Sequence, residues 1–189
     1  MQRSCLQSCR AGGFTLIEVL VAMFVLAVGV IGAAATQATS ARLRQHAALE
    51  SEAVALASAL SARMRINPAQ MARPDPANPY LRLDYDATQG APAEPPVQCF
   101  GTAACDSAQL ALFDIHELAR SVHDAFPGGR VTVCRDAPAV NGSGSTTVDW
   151  PCAGGSAAPL VVKIGWRRQT TAGAGPGEAR PFVAMVVSG

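Results

Sequence analysis

From Phe14 to Ala35 the chain reads FTLIEVLVAMFVLAVGVIGAAA, 22 residues with one charge, Glu18, and no proline. At about 1.5 Å per helical residue this run covers about 33 Å, enough to cross a hydrocarbon layer of about 30 Å. A core helix of that length normally carries a polar face, and this one has none beyond Glu18. The run therefore predicts a membrane-spanning helix. No proline interrupts the chain between Phe14 and Asn67; the first is Pro68. From Ala41 onward the pattern becomes amphipathic, with Leu49, Ala53, Leu56, Leu60 and Met64 at steps of three and four, the spacing of one helix face. Arg42, Arg44, Glu50, Glu52, Arg63 and Arg65 form the polar remainder. One helix from Phe14 to Asn67 is expected, roughly 80 Å long, its first half suited to lipid and its second to packing on a domain. Gly29 and Gly32 are its weak points, since glycine costs about 1 kcal/mol relative to alanine inside a helix.

Glu18 is the anomaly in this segment. A carboxylate at mid-bilayer costs about 2.5–3.5 kcal/mol on insertion scales, and less near a helix end. It is either a tolerated interfacial charge or a group with a partner supplied from elsewhere. Cleavage before Phe14 would create such a partner, an α-amino group one helical turn away or on a neighbouring subunit. A secretory signal is the opposing reading, because Ala33-Ala34-Ala35 has the small residues of a cleavage site. The apolar run, however, exceeds the roughly 7–15 residues of such a signal. A lipoprotein signal at Leu6-Gln7-Ser8-Cys9 has no apolar segment before it.

Charge excludes one class of partner. Lys+Arg number 15 against 14 Asp+Glu, and the first thirteen residues hold Arg3 and Arg10 with no acid. Without them the balance is 13 against 14, or −1. The chain has one lysine, Lys163. A nucleic-acid partner needs a concentrated basic face, and none can be read here. Arg3 and Arg10 before the apolar run face Arg42 and Arg44 after it, so charge alone leaves orientation undetermined.

Gly13-Phe14-Thr15-Leu16-Ile17-Glu18, after a short basic leader and before the apolar block, resembles the prepilin peptidase site of type IV pilins and pseudopilins. The resemblance implies cleavage between Gly13 and Phe14 on the cytoplasmic face, followed by N-methylation of the Phe14 amine. Glu18 matches the acid that, in that family, assists docking into the growing filament. GFTLIEVLVAMFVLAVGVIG, LSARMRINP, CFGTAACDSAQLALFDIHELARSVHDAFPGG and LVVKIGW further resemble the PilV-type minor pilins, the type IV pilus modification proteins. Two features depart from the pattern. The apolar stretch lacks the helix-kinking proline of major pilins, and the 13-residue leader, longer than many, contains Cys5 and Cys9.

The resemblance implies a single-pass protein of the bacterial inner membrane with a periplasmic C-terminal domain, later part of a pilus at the cell surface. Its implied partners are the prepilin peptidase and, through the N-terminal helix, other minor and major pilins. Its implied role is priming of assembly or a place in the tip complex. A type II secretion pseudopilin shares the same N-terminus. A secreted binding module or enzyme freed by signal peptidase is the reading from another class.

The expected organisation is a leader (1–13), a membrane or filament-core helix (14–35), the amphipathic half of the same helix (36–67) and an extracytoplasmic domain (68–189). In that domain Pro74, Pro76, Pro79, Gly90, Pro92, Pro95 and Pro96 mark a long loop, with one short strand near Tyr80–Tyr85. Asp106 or Ser107 can cap a helix running to about Ala125, with Leu110, Phe113, Leu118 and Val122 on its apolar side. Strands are expected at Arg130–Arg135, Leu160–Arg168 and Pro181–Val187, the last two joined through a glycine-rich turn at Thr171–Gly177. A long helix against a small antiparallel sheet with an extra helix makes the fold class α+β, that of a type IV pilin-like domain.

Cys99, Cys105, Cys134 and Cys152 follow the apolar run, and in an oxidising space an even four implies two disulfides. Four cysteines allow three connectivities; proximity favours Cys99 with Cys105 and Cys134 with Cys152. The longer loop would then gain about 3 kcal/mol in the chain-entropy model. Zinc is the rival, but the spacing lacks a C-x₂₋₄-C pair. His46, His116 and His123 read as surface or helix-packing residues, because His116-Glu117 has no second histidine at metalloprotease spacing. Asp84 and Asp86 lie in no calcium loop. Neither Gly142–Gly144 nor Gly173–Gly177 precedes the Lys-Ser/Thr of a phosphate loop. Asn141-Gly142-Ser143 is a chance glycosylation match, and Trp150 and Trp166 read as core or loop anchors. No catalytic residue, metal site or cofactor is expected.

Overall fold

The fold is described from a computed structural model covering residue 13 and residues 15–137, 139–140, 146–147, 149–167 and 180–187. The chain divides at Gln45/His46 into two units, each taken by itself. Helix α1 (Leu16–Arg65) begins in the first unit and ends in the second. It starts two residues later than the sequence pattern suggests; Phe14 lies outside the described residues. Up to Gln45 every described residue is exposed. This part contains a stretch of mean hydropathy 2.6, long enough to cross a membrane and with none of it buried inside the molecule.

In the second unit the last turns of α1 bury Ala53, Ala57, Leu60, Ser61 and Met64, with Leu49 and Leu56 packed at the margin of the core. Alanines at two successive contact positions keep this face flat. After Asn67 the chain enters a one-turn helix, α2 (Pro68–Met71), with proline in its first turn, where the missing N–H costs nothing. Three 3₁₀ turns follow, at Asp75–Ala77, Pro79–Arg82 and Ala87–Gln89, with strand β1 (Asp84–Asp86) between the last two. The strand expected over Tyr80–Tyr85 is thus largely a 3₁₀ turn. The Asn78 side chain accepts the Tyr80 N–H at 3.0 Å, and Pro79 sits in the first turn, so local capping overrides the β preference of the tyrosines.

Helix α3 (Ser107–Ala125) is capped by Asp106, which accepts from Ala108 N (2.9 Å) and Gln109 N (2.8 Å). Gln109 returns a bond by accepting from Asp106 N at 3.0 Å, completing a capping box. Ala111, Phe113, Leu118 and Val122 face the interior, together with Asp114 and His116. Asp114 accepts from the Tyr80 hydroxyl (3.0 Å) and from Arg63 (3.1 Å), and Asn67 donates to Tyr80 Oη (3.2 Å) and to the Ser107 carbonyl (2.8 Å). This network joins the end of α1, the Pro79–Arg82 turn and the start of α3. Burial raises the Asp114 carboxyl above its ordinary value, despite the bonds from Tyr80 and Arg63. Both histidines of α3 hold the segment in front of it: His116 Nδ1 lies 2.9 Å from the Ala93 carbonyl and His123 Nδ1 lies 2.7 Å from Tyr85 Oη.

Strands β2 (Arg130–Arg135), β5 (Leu160–Trp166) and β6 (Arg180–Val187) complete a sheet of order β1-β2-β5-β6, antiparallel throughout. Between β2 and β5, β3 (Ala139–Val140) and β4 (Thr146–Thr147) pair separately. The expected turn at Thr171–Gly177 lies outside the described residues, and β5 ends at Trp166, short of Arg168. Leu160, Val162, Ile164 and Trp166 join Ala57, Leu60, Val122, Val131 and Val133 in one core. The opposite face of β5 is also covered, since Val161 and Lys163 are both buried.

Lys163, only 1% exposed, pairs with the Asp136 carboxylate and donates to the carbonyls of Asp149 (2.6 Å) and Pro151 (3.2 Å). The Cys134–Cys152 disulfide ties β2 to this same segment, with Cα atoms 6.2 Å apart. Cys99–Cys105 closes a second, shorter loop, with Cα atoms 5.8 Å apart. An ammonium and a disulfide together fasten the β2–β5 connection over the outer face of the sheet.

Two tests follow from this packing. The β5–β6 register shifts at Ile164/Gly165, and a Cβ on Gly165 would overlap the Arg180 carbonyl oxygen. Gly165→Ala is expected to destabilise the domain by about 1–3 kcal/mol, read as a lowered thermal midpoint; an unchanged midpoint would contradict this close approach. The second concerns Asp136. Burial raises its carboxyl, but bonds from Lys163 and from the Ala153 N–H, with the lysine charge, outweigh that and hold it below 3.8. A depressed folded value stabilises above the unfolded one and is lost as pH falls through the folded one. The stability advantage of the native chain over Asp136→Asn is therefore complete above about pH 5 and shrinks below about pH 4, measured by urea unfolding at pH 7 and pH 3.

Candidate functional site

The residues the sequence singles out at the N-terminus stand where the non-helical chain becomes α1. Gly13 is exposed, its φ lies outside the left-handed region, and a Cβ there would meet nothing within 4 Å. The fold itself places no demand for glycine at this position. Thr15 is the last residue before the helix. Its carbonyl accepts from Glu18 N (3.1 Å) and Val19 N (3.3 Å), and its Oγ1 lies 3.4 Å from Glu18 N. Thr-x-x-Glu is the sequence pattern of a capping box, so Thr15 fixes where α1 begins and puts Glu18 in its first turn. A carboxylate there gains about 0.3–1 kcal/mol from the helix dipole. The sequence places Thr15 within the motif, but its role as a cap emerges only here, although the threonine three residues before Glu18 was the available signal.

Exposed Gly13 and Thr15 stand before a capped helix whose first turn is uncovered: Leu16 is 88% exposed and Ile17 67%. Phe14, the expected methylation site, and the leader with Cys5 and Cys9 lie outside the described residues. The distance from Glu18 to any new amino terminus is therefore not part of this geometry. Elsewhere, Cys99 and Cys105, and Cys134 and Cys152, are joined as disulfides. Among the described residues no three His, Cys, Asp or Glu side chains stand together as a metal site.

A family model described as the prokaryotic N-terminal methylation motif matches residues 9–34. The start of the chain is similar to a prepilin N-terminus. The match spans the glycine, the cap, the acid and most of the apolar run, and it supports a type IV pilin-like protein processed by the prepilin peptidase. Comparison with curated proteins and with solved structures gave no match. The long N-terminal helix and small antiparallel sheet are consistent with the pilin fold. An apolar helix directly behind a prepilin motif fits anchoring in the inner membrane.

Because Gly13 has open space around it, Gly13→Leu tests recognition without disturbing the fold. The chain is expected to keep its full length, with the first thirteen residues retained by intact mass, when the peptidase is present. Mature-sized protein accumulating from the variant would refute processing at this position.

Proposed function

We propose that this chain is a minor pilin of a type IV pilus, of the PilV type, cut between Gly13 and Phe14 and methylated on the Phe14 amine. Its carboxyl-terminal domain faces the periplasm before assembly, and the mature subunit acts in priming the filament or in its tip complex. One observation carries this reading: the exposed apolar surface of α1 from Leu16 onward, with a single acid in its first turn, directly behind a methylation motif. That surface needs a cover of lipid or of other apolar helices, and a filament core of bundled helices replaces the bilayer as its solvent.

Glu18 gives the transfer its direction. An uncompensated carboxylate among apolar helices is costly, and the amino terminus of a processed neighbour supplies the compensating charge. Glu18→Val should leave membrane insertion and processing intact while reducing incorporation into sheared pili at least tenfold. Incorporation at the native level would remove the carboxylate from the mechanism. Deleting the gene separates the pilus from a type II secretion pseudopilin: loss of surface pili supports the former, and loss of exported protein with pili intact supports the latter. A mature chain starting near Thr36 would instead indicate a secreted module.

A further inference from the structure

Residues 90–105 run from the Ala87–Gln89 turn to the cap of α3 with no helix, no strand and no buried residue of their own. A segment with few buried contacts opens locally before its domain unfolds. This one is held to α3 by side chains. At its start, Tyr85 Oη lies 2.7 Å from the Gly90 carbonyl and 2.7 Å from His123 Nδ1. In its middle, buried His116 places Nδ1 2.9 Å from the Ala93 carbonyl and Nε2 3.8 Å from the Glu94 carboxylate. Glu94 is steadied there by Gln98, whose Nε2 donates to it at 3.0 Å. Near its end, within the Cys99–Cys105 loop, the Phe100 ring stands edge-on against Phe113, centroids 4.7 Å apart.

We propose that residues 90–105 form a strap over α3 whose clasp, His116 with Glu94, tightens when His116 takes up a proton and loosens when the proton leaves. The argument is one of hydrogen count. A carbonyl oxygen only accepts. The single hydrogen of Tyr85 Oη therefore goes to the Gly90 carbonyl, and His123 Nδ1 carries the hydrogen that reaches Tyr85. A neutral and a protonated imidazole supply that bond alike, so this end is indifferent to the proton. At His116 the Ala93 carbonyl likewise fixes the hydrogen on Nδ1. In the neutral ring Nε2 is then a bare lone pair facing a carboxylate. Protonation turns the same contact into a charged donor facing that carboxylate, the stronger kind of bond. Among the described residues Glu94 is the group of opposite charge within 4 Å of His116. Of the nearby charges on α3, Asp114 is turned to Tyr80 and Arg63, and Arg120 lies 3.9 Å from Asp124; Glu117 adjoins His116 in sequence. The inference concerns the domain alone and does not rest on the pilin reading.

A nitroxide on Ala91→Cys tests it in the full-length chain, in membrane vesicles, with Cys5 and Cys9 replaced by serine. Ala91 is exposed, and the other four cysteines are held in disulfides and do not react with the label. The mobile fraction of the spectrum reports the strap. It is expected to rise at least twofold from about pH 5.5 to about pH 8, the range in which an imidazole ordinarily changes charge. Glu94→Gln alters a side chain 73% exposed, so the domain still folds. Its amide donates to a neutral Nε2 and accepts from a protonated one, and the mobile fraction should then be equal at both pH values. A label on Ser58→Cys, exposed on α1, should give the same spectrum throughout. Equal mobility of the Ala91→Cys label at both pH values, a pH response that survives Glu94→Gln, or a response shared by the Ser58→Cys label would each overturn the clasp.

Discussion

The physical constraint behind this protein is an apolar helical surface that stands exposed among the described residues. From Leu16 through Ile31 the large side chains of α1 stay exposed, in a stretch hydrophobic enough to span a bilayer. Water is a poor solvent for such a surface, and lipid or other apolar helices are the surroundings that suit it. Thr15 caps the helix, Glu18 occupies its first turn, and an exposed glycine precedes both.

The domain that this helix carries answers a separate problem, how a small sheet with long connections stays ordered. Its core is narrow, because Ala53 and Ala57 let the end of α1 approach closely, and Val162, Ile164 and Trp166 fill the other side. The connections are then fastened individually. Cys134–Cys152 and the buried Lys163–Asp136 pair hold the β2–β5 crossover. Cys99–Cys105 closes the loop before α3. The two α3 histidines and the Asp114–Tyr80 bond fix the 3₁₀ segment. A buried ion pair alone is weak evidence of stability, but Lys163 also satisfies two backbone carbonyls and so determines the path of the loop.

Legibility in the sequence followed the range of the interactions. The start of α3 at Asp106 and the whole of β2 could be read directly, since a capping box and a short alternating run are local signals. Tyr80–Tyr85 misled because two tyrosines among two leucines read as a strand, while the decisive bond comes from the Asn78 side chain. Lys163 read as an unremarkable single charge; its acceptors lie 12 to 27 residues away and are brought to it by the fold. At the candidate site, Gly13 and Glu18 were visible through their place before and within an apolar run, whereas the cap by Thr15 emerged from geometry.

The sequence by itself determined the elements whose cause is contained in a short window: the membrane-length helix, the amphipathic continuation, the methylation motif and strands β2, β5 and β6. Tertiary structure decided what those elements face. It buried β5 on both sides, turned Lys163 inward and joined the cysteines in their two pairs. The reason is that periodicity and capping act between residues a turn apart, while burial and pairing depend on which distant segments meet.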